Sequence, residues 1–95
     1  MLIRVRQLEV LPSYRLRLTF SDGKQGVYDC ASIVERTGPM VQPLRDEKYF
    51  ARVFLEAGAP TWPNGYDMAP WAIHKELAEA GLLTESEARV RSAAE

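Results

Sequence analysis

Residues 14–23 read YRLRLTFSDG, and the fold class turns on how that run is taken. Tyr14, Leu16, Leu18 and Phe20 fall on one side of a strict alternation, and Arg15, Arg17 and Thr19 on the other. That is the pattern of a β-strand with one face on a core and one in water. Ser21-Asp22-Gly23-Lys24 ends it with a turn, Asp-Gly being the favoured pair where φ must be positive. Toward the N-terminus, residues 3–11 read as a second strand joined through Pro12-Ser13. Ile3 and Val5 share one phase there, while Leu8 and Val10 share the other, which predicts a bulge or twist at Arg6-Gln7. On the other side of the turn, residues 26–30 make a short third strand. The first third of the chain is thus an antiparallel meander.

The middle is punctuated rather than periodic. Residues 31–36 form a short helix that Thr37-Gly38-Pro39 terminates, because Gly suits a left-handed cap and Pro cannot continue the helix. Asp46 is an N-cap for one or two turns through Phe50. Residues 52–56 (RVFLE) and 60–62 (PTW) read as two strands around Ala57-Gly58-Ala59, the proline favouring an edge. Asn64-Gly65 is a hairpin-turn signal whose two central residues both take positive φ. Pro70 and Gly81 bracket a helix over 71–80, with Ile73, Leu77 and Ala80 on one face. Thr84 and Glu87 spell a capping box for a last, weakly apolar helix over 85–94. The class is α+β: a β-meander plus a hairpin, short crossing helices and a C-terminal αα-hairpin. Residues 1–73 form the domain body and 74–95 a helical extension of it.

Composition narrows the functions. Ninety-five residues make one domain that can bury a core without disulfide or metal. Twelve basic against thirteen acidic residues, a net charge of −1, argue against a protein devoted to gripping phosphate backbone. One cysteine, Cys30, supplies neither a disulfide framework nor a thiolate zinc site, in keeping with a reducing cytoplasm. MLIRVRQLEV lacks the apolar run of a signal peptide, and nothing approaches the roughly 20 apolar residues of a membrane span. The expectation is a soluble, cytoplasmic protein with no membrane role.

Candidate sites are few. TWPNGYDMAPW (61–71) holds two tryptophans and a tyrosine. Trp62 and Trp71 either cap the core around a turn, or Trp62, Asn64 and Tyr66 face a partner. The first alternative is preferred, with both indoles buried. Arg4, Arg6, Arg15 and Arg17 gather on one sheet face if the first two strands pair, offering a patch to an acidic partner or nucleic acid; interleaved acids such as Glu9 make it an ordinary solvated face instead. The last two helices have the outline of a helix-turn-helix, but Glu85 and Glu87 stand where DNA would be read. His74 has no second histidine at i+4, no phosphate-cradling loop is present, and one Cys with one His is a thin basis for nucleophilic chemistry. No catalytic residue, cofactor or metal is assigned, and an enzyme is not expected.

Three ordered stretches, LPSYRLRLTFSDGKQGVYD (11–29), GPMVQPLRDEKYFARV (38–53) and TWPNGYDMAP (61–70), resemble an uncharacterised bacterial family, domain of unknown function 2442. Its members carry a Y-x-L-x-V-x-F-x-D-G strand and turn, a pLrD-x-x-x-F segment and a W-P-N-G-x-D-L-x-P close. The likeness spans about residues 2–73; Met68 replaces the usual Leu, and Ala69 an acid that would cap the following helix. The resemblance implies a small α+β fold with crossing helices and a bacterial setting. Some longer members add a helix-turn-helix domain, and some genes lie beside a second small gene as in a toxin–antitoxin pair. It brings no catalytic residues. The function expected is a non-enzymatic protein-binding module, antitoxin-like, whose partner is another small protein or a second copy. Trp62, Asn64, Tyr66, Arg15 and Arg17 are its candidate contacts. The alternative is a DNA-associated transcriptional regulator using the arginine face or the C-terminal helices.

Overall fold

The computed structural model describes residues 2–85. The alternation of residues 14–20 becomes the centre of a four-stranded sheet. β1 (Val5–Leu11), β2 (Arg15–Phe20) and β3 (Lys24–Asp29) form the meander, and β6 (Thr84–Glu85) adds to the far side of β3. β4 (Phe54–Glu56) and β5 (Ala59–Thr61) make a separate two-stranded hairpin. The helices are short: α1 (Ala31–Val34), a 3-10 turn at Gln42–Arg45, α2 (Glu47–Phe50) and α3 (Pro70–Glu79). The class is α+β.

Leu16, Leu18 and Phe20 are wholly buried, as their phase requires. The bulge falls where the phase of the first strand changes, since the register slips between Val5, opposite Phe20, and Gln7, opposite Thr19. Tyr14 departs from the expected strand. Ser13 and Tyr14 both take positive φ, 65° and 60°, and turn the chain before β2 begins. The Tyr14 ring still reaches the core edge-on to Phe50, with centroids 5.3 Å apart, and its hydroxyl donates to the Arg45 carbonyl. Arg45 in turn donates through Nε to the Val34 carbonyl (2.8 Å) and through a terminal nitrogen to the Arg36 carbonyl (2.9 Å), capping the end of α1. Asp46 caps α2 as expected, its carboxylate accepting from the Lys48 N–H.

Two glycines let layers close. A Cβ at Gly26 on β3 would stand 3.0 Å from Leu77 Cδ1 and 3.1 Å from the Leu82 carbonyl, so α3 and its exit loop seat directly on the strand. At Gly58, with φ of +82°, a Cβ would meet the Arg4 Cβ at 2.6 Å; this turn lies tight on the start of β1, and Val5 N–H donates to the Gly58 carbonyl (2.8 Å).

Three expectations are corrected. Trp71 is not buried but 61% exposed, while Trp62 is 1% exposed. At the second position of α3 (Pro70–Glu79), Trp71 lies about 160–200° around the axis from buried Ile73, and about 120° from Leu77. Asn64-Gly65 is not a turn with two positive φ angles, since Gly65 alone takes one, +92°. Pro63, locked near −65°, occupies the first corner, and the Gly65 N–H closes onto the Trp62 carbonyl (2.8 Å). The capping box does not start a helix at Glu85, because Thr84 and Glu85 pair with Gln25 and Lys24 as a strand. The rest of the expected C-terminal helix lies outside the described residues. Ile73 and Leu77 on α3 join the same core as β2.

Candidate functional site

The WPNGY turn is held as a rigid corner. Trp62 N–H donates to the Tyr66 carbonyl (2.8 Å), closing a three-residue loop with Gly65 in the left-handed position. Beneath it the Trp62 indole donates from Nε1 to the Phe50 carbonyl (2.9 Å) and stacks tilted on Phe50 and Tyr66, with centroids 5.5 and 5.8 Å apart. On top, the Asn64 amide works in two directions. Its Oδ1 accepts from the Tyr66 N–H (3.1 Å), and its Nδ2 donates to the Met40 carbonyl (2.9 Å). The turn is thereby tied to the loop before the 3-10 turn, and Met40, 44% exposed, stands beside Gly65.

Tyr66 also forms one wall of a cleft of about 240 Å³ between β3, α1, the corner and α3. Ile33, Met68 and Ile73 line its apolar side, all buried. Arg36, Asp67 and Glu76 give it charge. Tyr28 also lines it, its hydroxyl donating to Glu76 Oε2 at 2.5 Å. Burial raises the Tyr28 phenol above its ordinary value, and the bond to Glu76 and that carboxylate's charge push the same way, so the hydroxyl stays a donor at neutral pH.

Trp62, expected as a partner contact, is corrected to a core residue, since at 1% exposure its indole has no surface to offer. Its role is to support Tyr66. Asn64 and Tyr66 are half-buried and adjoin each other on the corner. Arg15 and Arg17 lie elsewhere, on the outer face of the meander. Arg17 is ion-paired to Glu9 at 2.6 Å, directly across the ladder, and Arg15 donates to the Pro12 carbonyl (3.0 Å). Arg4 is drawn to the other end of β1, against Gly58.

The two conventional reactive groups are engaged in structure. Cys30 is buried, and desolvation together with the Asp29 charge pushes its thiol up to about 12. His74 Nε2 lies 2.8 Å from Asp22 Oδ2, and its ring meets Phe20 edge-on at 5.0 Å. Burial raises the Asp22 carboxyl, but the Lys24 N–H, the hydrogen bond to His74 and the nearby positive charge outweigh it and hold the group below its ordinary value. Among the described residues no group of three or more His, Cys, Asp or Glu is placed to hold a metal ion, and no helix is long and apolar enough to cross a membrane.

The profile of a protein family of unknown function, DUF2442, matches residues 5–78. The chain belongs to that family. No curated protein and no solved structure matches it. The DUF2442 match takes in the meander, the corner, the cleft and all but the last residue of α3. Met40, Tyr28, Arg36, Asp67 and Glu76 escaped the sequence reading because they come from separate elements. One signal was present: Tyr28, next to last in β3, carries an aromatic ring whose polar tip needs a partner when buried.

Proposed function

We propose that this DUF2442 protein is a non-enzymatic protein-binding module that holds a small protein partner on the Met40–Asn64–Tyr66 corner. The observation that carries this is an exposed methionine on a ledge pinned by two Asn64 hydrogen bonds, beside a cleft of about 240 Å³ that Tyr66 shares. Methionine adapts to many apolar surfaces, and a preorganised ledge spends little entropy on binding. The aromatic stack under the turn keeps that ledge from collapsing. The buried thiol of Cys30 and the engaged ring of His74 support a role other than catalysis. The setting proposed is the bacterial cytoplasm, with the partner encoded beside this gene and the chain in the antitoxin-like role.

Co-expression of the tagged chain with its neighbouring gene tests this. A stoichiometric complex is expected with the wild type and is lost with Met40→Asp, whose unfolding midpoint stays unchanged because the side chain is exposed. A wild type that carries nothing through purification at any salt overturns the proposal. So does a Met40→Asp variant that carries the partner equally well.

A further inference from the structure

β1 is the edge of the meander, and on it the core runs out. Leu8 stands opposite Leu18 and Val10 opposite Leu16, so all four point to the core side. Leu16 and Leu18 are fully buried, yet Leu8 is only half-buried and Val10 is 36% exposed. β4, which lies against β1, adds the exposed Phe54. Among the described residues no strand pairs on the outer side of β1, whereas β6 covers part of the opposite edge. The bulge at Arg6 and the bond from Val5 N–H to the Gly58 carbonyl protect the beginning of β1. Within residues 7–11 the backbone N–H and C=O groups of Leu8 and Val10 point outward without a strand partner, while those of Gln7, Glu9 and Leu11 face β2.

We propose that this edge is a self-association surface, on which a second copy lays its own β1 antiparallel about a two-fold axis centred on Glu9. Directly opposed residues share a sheet face, so Leu8 opposes Leu8 or Val10 of the copy and never Glu9. Centring on Leu8 would set Val10 against the bulged Arg6. Centring on Val10 would set Leu8 against Pro12, which has no N–H. Centring on Glu9 places Leu8 against Val10 twice, pairing the outward backbone groups of both residues and covering the apolar strip that each copy leaves open. It also sets Glu9 against Glu9, a like-charge pair, but each carboxylate is held at 2.6 Å by Arg17 of its own chain. The row across the joint runs Arg-Glu-Glu-Arg and is neutral. Self-complementarity on both faces is what favours a second copy over an unrelated strand.

Light scattering of the full chain across concentration, with variants, tests this. The mass is expected to double as concentration rises, and Val10→Lys is expected to stay monomeric with an unchanged circular-dichroism melt. Under mild oxidation Glu9→Cys is expected to form a disulfide-linked dimer. Leu11→Cys is not, because in this register its two copies lie four residues apart, roughly 13 Å at about 3.3 Å per residue, beyond disulfide reach. The native Cys30 is buried and does not compete. A wild type that stays monomeric throughout overturns the proposal, as does a dimer that Val10→Lys leaves intact or that Leu11→Cys links as readily as Glu9→Cys. Met40→Asp is expected to leave the dimer untouched, so failure at the corner and failure at the edge read out separately.

Discussion

The two tryptophans part company, Trp62 in the core and Trp71 in solvent, and replacing each by phenylalanine measures this. Trp62→Phe removes the Nε1 donor to the Phe50 carbonyl, which keeps only a longer bond from the Val53 N–H at 3.3 Å. The lost hydrogen bond costs about 1 kcal/mol. Exchanging an indole for a phenyl ring leaves a cavity of a few tens of Å³ in a site that Phe50 and Tyr66 wall in, costing roughly 1–2 kcal/mol more at about 24 cal/mol per Å³ plus lost transfer energy. The sum is about 2–3 kcal/mol, which for a domain this small lowers Tm by roughly 10–20 °C. Trp71→Phe alters a side chain that is 61% exposed and is expected to stay within about 0.5 kcal/mol of wild type. Urea unfolding followed by far-UV circular dichroism reads both. Each variant also keeps one indole as a probe, so acrylamide is expected to quench Trp62→Phe strongly and Trp71→Phe weakly. Equal destabilisation by the two substitutions, or stronger quenching in Trp71→Phe, would refute the packing described for the corner.

Gly58→Ala forces a Cβ to within 2.6 Å of Arg4 Cβ at positive φ, whereas Gly81→Ala carries the positive φ with open space around it. The second is expected to cost about 1 kcal/mol and the first distinctly more, measured by the same urea titration. Asp22 has a folded pKa below its unfolded value, so its contribution is present above about pH 4 and is lost as pH falls through the folded value. Asp22→Asn is therefore expected to flatten the acid limb of a stability–pH curve; an unchanged slope below pH 4 counts against the Asp22–His74 contact as described. Tyr28 has a raised folded pKa, so its contribution is full below about pH 10 and falls away as pH rises beyond it. Tyr28→Phe is expected to remove that alkaline loss in a pH series of thermal melts. The phenol is expected to ionise later than model tyrosine by ultraviolet titration.

Local rules made much of the fold legible. The alternation of residues 15–20, the phase change at Arg6, Asp46 ahead of α2, and Pro70 and Gly81 around α3 each rest on interactions within a few residues, and each feature stands where those rules put it. The family could also be read directly, from three ordered motifs. Tertiary contacts decided the rest. Trp71 stands in solvent because of α3's rotation over the sheet, which Gly26 and Leu77 fix, and Trp62 is buried because Phe50 and Tyr66 close around it. Thr84 and Glu85 left their helical signal because the edge of β3 had open backbone groups to satisfy. Arg17 became half of an ion pair because the register set Glu9 across from it. The corner, the cleft and the open edge are likewise assembled from residues far apart in the chain, and only packing brings such residues within bonding distance.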